Sequence, residues 1–461
     1  MKKFPIFTLI IFFVLASSCG GETILPGLTE VNGAENEEPE EVFEIIRDLE
    51  GRHIRIASGW SYLPFSTGGP APDPNTSRNY AIDRMLYNQI QRVSQEYNIT
   101  ISPLPIAHPD IMPALQTSVM AREPFADMVL LGGEMVFPAI TGNLIYALEE
   151  FVPRDADLWG PGNIIRPCAN FAGFYWTFAP FSMNLEGSFL GVNLDIIYAI
   201  GAENPVTLYE NGDWTFSRFR EIMLSATNSY YGQFGISGVP GDIIAHLIAA
   251  NDGVMVYDYN YSYDNAKTIA ALELAFQIFQ TEGTWLCDHG PQDWHSNFFA
   301  FLEGRSAFFP VGEWTMQQVN VNFEYTIVPF PKGPDNEKPY SFMKGFGMGL
   351  AIPRGVSRPE DVYTVFEGIF SWPDENLLIQ RDHEYIMSLF TSDRDALRAI
   401  NILRDQGKFD LGMAVPAFNW MHTTMAEGFI NGTMNVSGAV ERFRNPQQAL
   451  LDEALENWLL R

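Results

Sequence analysis

From His53 to Ser58 apolar and polar residues alternate, and that period of two predicts a half-buried strand leaving at Gly59 into a loop with Trp60 and Tyr62. The pattern then changes to the helical period over about residues 81–97, with Ile82, Met85, Leu86, Ile90 and Val93 on one face. A second strand in "ITISPLPI", a helix over about 110–122, and the continuous apolar run in "ADMVLLGG" follow. A short run without alternation, ending in two glycines, predicts a strand buried on both faces of a parallel sheet. Strand, helix, strand, helix, strand is the signature of an α/β layer fold. In such sheets ligands sit beyond the carboxyl ends of the strands, which places Trp60, Tyr62, Gly132, Gly133 and Glu134 on one candidate rim.

Past Tyr175 an aromatic strand and a Gly-led strand are predicted, then helices near 217–226, 240–250 and 265–281, with Ser217 and Asp264 as expected N-caps. Between the last two helices, Tyr257, Tyr259, Tyr261 and Tyr263 alternate with Asp258, Asn260, Ser262 and Asp264, which predicts a strand or hairpin with a solvated polar face. No internal repeat is present in the body.

Composition narrows the function. The 461 residues carry 28 Lys plus Arg against 56 Asp plus Glu, a net charge of −28. A chain with two acids for every base is repelled by phosphates, so nucleic acid is excluded as a partner. A hydrophobic fraction of 46% with 18% charged residues describes an ordinary globular core, and the length allows two to four domains. Aromatics, at 14%, exceed what a core strictly needs and are available to line a binding surface.

The N-terminus speaks to location. Lys2 and Lys3 precede an apolar run from Phe4 to Ala16, too short to span a bilayer and laid out as a secretory signal. Ala16, Ser17 and Ser18 before Cys19 resemble the lipobox of bacterial lipoproteins, which implies cleavage after residue 18 and a lipid on Cys19, with a plain secreted protein cut near Ser18 as the alternative. Residues 19–50 are acidic and poor in large apolar side chains, so the first half of this stretch is read as a disordered tether and the folded body as starting near Gly51. Cys168 and Cys287 fit no disulfide framework and are read as two isolated, buried thiols.

Several chemistries fail on spacing. The Asp258 to Asp264 ladder places Tyr263 where a calcium loop needs Gly and Ile269 where it needs Glu. Cys287, His289 and His295 lack paired zinc-ligand spacing, and after His383-Glu384 no second histidine follows one turn on. Gly345, Gly347 and Gly349 lead into an apolar strand rather than a helix, so they hold no pyrophosphate. With no phosphate loop and no G-x-S-x-G, neither a cofactor nor a metal is expected. A glycosidase needs only two carboxylates, which leaves the enzyme reading open by default.

Seven short motifs in order resemble the extracellular solute-binding proteins of ABC importers, in the group that includes maltose-binding protein: "HIRIASGW", "ADMVLLGG" with "NLIYALEEFV", "LGVNLDIIYAIG", "NGDWTFSRFREI", "FLEGRSAFFPVGEW", "YTIVPFPKGP" and "GFGMGLAIPRGVSRPEDVYTVFEGIF". The resemblance covers residues 51–461. It implies a two-lobed periplasmic-binding-protein-like α/β fold of type II with a mostly parallel sheet in each lobe and three chain crossings. Lobe 1 would be 51–183 and 350–412, lobe 2 184–349 and 413–461. It further implies a monomer that closes on an oligosaccharide or other small solute and delivers it to permease subunits, held to the membrane only through Cys19. Pyranose faces want aromatic rings and sugar hydroxyls want charged acceptors. Trp60, Tyr62, Trp176, Trp314 and Trp420 are accordingly the stacking candidates, with core packing as the alternative for each, and Glu134 and Glu313 the hydrogen-bonding ones. Trp314 follows from the family's Gly-x-Trp segment, and Trp214 is read as structural. Import receptor, ligand sensor for a signalling partner and carbohydrate-active enzyme remain open at this point.

Overall fold

The structure, a computed structural model, describes residues 45–59, 67, 69–73, 80–153, 166–167, 169–179, 188–281, 283–286, 294–316, 319–370, 386–390 and 392–459. The predicted secretory segment and Cys19, Trp60 and Tyr62, Cys168 and Cys287, and His289, His383 and Glu384 lie outside these.

Strand Arg52–Ser58 buries Ile54 and Ile56, as its alternation requires, and its last residues on both faces, Ala57 included. It lies between strand Ile99–Pro105, parallel from Arg52↔Ile99, and strand Met128–Leu131, parallel from Ile56↔Met128. Met128–Leu131 is buried at every position and pairs antiparallel with Gly349–Ala351 on its other side. Two short strands, Phe178–Ala179 and Arg166–Pro167, complete the six. Helix Tyr80–Glu96 covers the sheet with Leu86, Ile90 and Val93, all fully or nearly buried and spaced four and three residues apart. Each such side chain contributes roughly 1.5–3 kcal/mol on burial.

The folded body begins before Gly51. Backbone N–H groups of Ile46 and Leu49 donate to Glu96 and Tyr97, and Leu49 is buried. Arg47 pairs with Asp361, a carboxylate buried among Arg47, Arg52 and Arg358. The acidic character of residues 19–50 concealed this because Leu49 and Arg47 find partners only in distant elements.

The second sheet has the order Trp285–Leu286, Phe234–Ser237, Ser306–Gly312, Ser188–Asn193, Tyr325–Val328. Its first three strands run parallel and Ser188–Asn193 runs against its neighbours. Helices Phe216–Ala226, Pro240–Ala250 and Ala266–Gln280 pack around it. Two N-caps differ from expectation: Thr215 accepts from Arg218 N–H, and Asn265 from Thr268 N–H, in place of Ser217 and Asp264. In both cases another side-chain oxygen one or two residues away reaches the free N–H. The tyrosine ladder is a two-residue hairpin, Val256–Tyr257 against Asn260–Tyr261, turning through Asp258 and Tyr259 at positive φ. Tyr261 and Tyr263 are buried while Tyr257 is exposed, so the polar face is solvated as expected.

Helix Asp393–Asp405, which the sequence boundaries group with the first lobe, packs on the second sheet. Thr326 Oγ1 donates to Asp395, buried Arg398 donates to Ile327 O, and Ala396, Ala399, Ile400 and Leu403 share a core with Phe189 and Phe309. The chain is therefore on the first sheet at Phe370 and on the second core by Ile386, earlier than the boundary at residue 412. The helix face that reads as a generic amphipathic stripe carries no label of which sheet it covers.

One crossing between sheets is described. Strand Phe342–Lys344 runs parallel to Gly407–Phe409, Asp410 N–H donates to Lys344 O, and the chain passes Phe346 to enter the first sheet at Gly349.

Candidate functional site

Three parallel strands of the first sheet end in Gly59, the turn His108–Asp110, and the helix Gly133–Thr141. At this edge His108 Nε2 lies 3.1 Å from Glu134 Oε1, both side chains about half exposed. Glu134 stands in the first turn of its helix, where an anionic side chain suits the free N–H groups. Gly133 admits no larger residue: a Cβ there would sit 1.9 Å from Phe346 O, so the crossing segment runs directly over the helix start. His108 is a candidate that motif reading missed, although its place just after a strand marks the same edge.

The corresponding edge of the second sheet is built from Phe234–Ser237, followed by helix Pro240–Ala250, and from Ser306–Gly312, followed by the helical turn Glu313–Met316. Glu313 and Trp314 thus begin a helical turn at a strand end, and their side chains lie outside the described part of the structure. Helix Pro416–Ile430 closes against this edge because Gly241 has no side chain: a Cβ there would meet Asn419 Oδ1 at 1.9 Å. Trp420, next in that helix, is 60% exposed. Beside Gly241, Asp242 is partly buried, and burial pushes its carboxyl up to about 6. No hydrogen-bond or charge partner for Asp242 is found among the described residues. Trp285 Nε1 donates to Gly238 O on the same edge.

Trp176 is a correction. Its side chain is fully buried, with Nε1 donating to Phe171 O and its backbone N–H to Ala169 O, which closes it to stacking on a solute. Trp214 is likewise sealed, donating to Pro329 O. The structure thus brings Glu134 to one strand edge, leaves Trp420 exposed on the helix that packs against the other, and removes Trp176 from the set.

A cavity of about 420 Å³ lies elsewhere, lined by Phe137, Pro138 and Thr141 from helix Gly133–Thr141 and by Ala417, Leu450 and Glu453. Next to it Phe171 meets Tyr259 edge-on, and Ala172 N–H donates to the Tyr259 hydroxyl at 2.9 Å. These contacts join the small hairpin Asn170–Tyr175 to the tyrosine hairpin Val256–Tyr261, beside Phe137 of helix Gly133–Thr141. Among the described residues no group of three His, Cys, Asp or Glu is placed to hold a metal ion, and no helix is long and apolar enough to cross a membrane.

No protein-family profile matches the sequence, and no curated protein does. Solved structures do match in shape. An ABC substrate-binding protein from Listeria monocytogenes in complex with cycloalternan superposes with a TM-score of 0.60 at 14% identity, over 88% of this chain and 100% of that one. A cyclo/maltodextrin-binding protein complexed with maltotetraose gives 0.57 at 14% identity, over 88% and 96%. An ABC transporter solute-binding protein from Thermotoga lettingae TMO bound with α-D-tagatose gives 0.57 at 13% identity, over 87% and 100%. The two sheets, their parallel strand ends and the crossing between them are therefore the two-lobed α/β fold of periplasmic-type solute-binding proteins.

Proposed function

We propose that this chain is the extracytoplasmic solute-binding lipoprotein of an ABC importer, a monomer that captures an oligosaccharide, sugar or polyol between its lobes and presents it to permease subunits. The observation that supports this reading is the polar and aromatic side chains at or beside the carboxyl ends of both sheets: Glu134 with His108 on one, and on the other Asp242, with Asn419 and exposed Trp420 on the helix packed against it. An exposed indole offers a flat apolar face to a sugar ring, and carboxylates and amides accept or donate to its hydroxyls. Ligand that touches both edges favours the closed arrangement by its differential affinity for it. The shape neighbours support the class, since their ligands are sugars. The apolar N-terminal run and Cys19 support a lipid anchor, with lobe 1 and lobe 2 swinging above the membrane on the acidic tether. Binding rather than turnover is the reading, and the chemistry of transport energy belongs to another subunit.

The test is thermal melting with intrinsic tryptophan fluorescence of residues 20–461 against oligosaccharides, monosaccharides, peptides and polyols. A sugar at 100 times its dissociation constant adds about 2.7 kcal/mol and shifts the melt visibly. Trp420→Ala or Trp314→Ala is expected to abolish the shift. A melt moved by a peptide and by no sugar or polyol would overturn the substrate class, and hydrolysis of the added glycan would overturn the binding-protein reading.

A further inference from the structure

We propose that Tyr259 clasps one lobe to the other in the open arrangement and thereby sets how tightly solute is bound. This rests on the hinged solute-binding reading above and adds the contact against which closure works.

Two hairpins make the clasp. Strands Asn170–Phe171 and Phe174–Tyr175 form the first, which is fastened to the first sheet. Tyr175 N–H donates to Glu149 at 3.0 Å, next to Leu148, which shares a core with Ile54 and Ile56, and the chain runs on into strand Phe178–Ala179. The tyrosine hairpin is the second, fastened to helices that pack with the second sheet. Val254 N–H donates to Thr268 of helix Ala266–Gln280 at 3.0 Å, and the Tyr261 hydroxyl donates to Val440 O of helix Val436–Leu459 at 2.9 Å. The two turns meet. Ala172 N–H donates to the Tyr259 hydroxyl at 2.9 Å, the Tyr259 ring stands edge-on to Phe171 at 5.6 Å, and Phe171 stands edge-on to Phe137 at 5.5 Å. At the meeting point both turns hold residues other than glycine in left-handed backbone, Ala172 at φ 53°, Asp258 at 47° and Tyr259 at 59°. Such backbone costs free energy and persists where its surroundings fix it.

Each hairpin is carried by its own lobe, so rotation of one sheet against the other displaces the two turns. A hydrogen bond and edge-on ring contacts of this geometry are lost over a displacement of a few ångströms, so the clasp belongs to one arrangement of the lobes. That arrangement is the open one, because Glu134, His108 and Trp420 each keep about half of their surface in water, whereas a closed cleft covers the side chains that take the solute. A contact made only in the open form is given up on closure, and its free energy is subtracted from that of solute binding.

The experiment is calorimetric titration at pH 7.5 of the full chain and of Tyr259→Phe and Tyr259→Ala with maltotriose, mannotriose, tagatose and ribitol, beside melting of each free protein. The expected result is binding of at least one of the four by the unaltered chain, about threefold tighter in Tyr259→Phe, which drops the hydroxyl, and about tenfold tighter in Tyr259→Ala, which drops the ring as well. The free variants are expected to melt at or below the unaltered temperature, and tighter binding by a protein no more stable is a result that a merely structural tyrosine does not give. Unchanged or weaker binding by either variant would overturn the inference and leave the sugar-binding reading standing. If the unaltered chain binds none of these four, the sugar-binding reading fails and the inference falls with it.

Discussion

At the carboxyl edge of the first sheet Glu134 is half exposed and sits 3.1 Å from His108, whereas at the same edge of the second sheet Asp242 is partly buried and has no charge partner among the described residues. The two acids occupy equivalent places, each in the first turn of a helix that follows a parallel strand. Their energetics differ in kind. An exposed pair contributes little to folding because water and salt screen it. A desolvated carboxylate without a donor opposes folding until something donates to it. Both helix starts are covered at the adjacent glycine, Gly241 by Asn419 of helix Pro416–Ile430 and Gly133 by the backbone at Phe346, yet Glu134 keeps about half of its side chain in solvent. Strand-edge position makes a residue available to a solute, and the packing around it sets what that availability costs.

The largest predicted effect separates these edges from the core behind them. Trp176→Ala empties a fully buried site and is expected to lower stability by about 3–5 kcal/mol, read by urea titration. Trp420→Ala is expected to change stability by about 0.5 kcal/mol or less while weakening sugar binding. Equal stability losses in the two variants would erase the distinction between edge and core.

Asp410 sharpens the contrast with Asp242. It is buried too, but accepts from Met255 N–H at 2.7 Å, Gly412 N–H at 2.8 Å and Val256 N–H at 3.1 Å, so it fastens the root of the tyrosine hairpin. Asp410→Ala leaves these donors unanswered and is expected to cost about 3 kcal/mol, with faster hydrogen exchange at Met255 and Val256. Asp242→Asn is expected to leave stability unchanged or raise it.

Both carboxyls are held up to about 6 by burial, from an ordinary 3.8. Below 3.8 they are protonated in folded and unfolded chains alike and weigh nothing against folding. Between 3.8 and about 6 the unfolded chain releases these protons while the folded one retains them, so stability falls with rising pH, and above 6 the loss is complete. In melts from pH 4 to 8, Asp242→Asn is expected to gain on the unaltered chain as pH rises through this window. A constant offset between the two curves would remove burial as the cause.

The smallest effect is at the first edge. Glu134→Gln, or His108→Ala, is expected to alter stability by less than about 1 kcal/mol, and by less again in 0.5 M salt. A larger loss would place Glu134 beside Asp410 as a structural acid.

Much of this was legible beforehand. The continuous apolar run Met128–Leu131, the two glycines after it and Glu134 on the rim follow from strand periodicity and from where strands end. The tryptophans were not separable by the same means. Trp176 follows a two-stranded turn and is sealed, and Trp420 lies within a helix of mostly buried neighbours and is exposed. Neither has a local pattern that says so. The placement of helix Asp393–Asp405 failed for a related reason: its apolar stripe fits either sheet, and Thr326 and Ile327 of the second one decide it.

The sequence by itself determined the order of strands and helices, the α/β class and the strand ends that carry polar residues, because each of these depends on periodicity and turn chemistry within a few neighbours. Only the tertiary structure decided that Trp176 is core, that Asp395 and Arg398 pack on the second sheet, and that Asp242 is partly buried with no charge partner among the described residues. Solvent access and hydrogen-bond supply at one side chain are set by elements far along the chain, as Asn419 is for Gly241, and no local pattern records which distant helix will arrive.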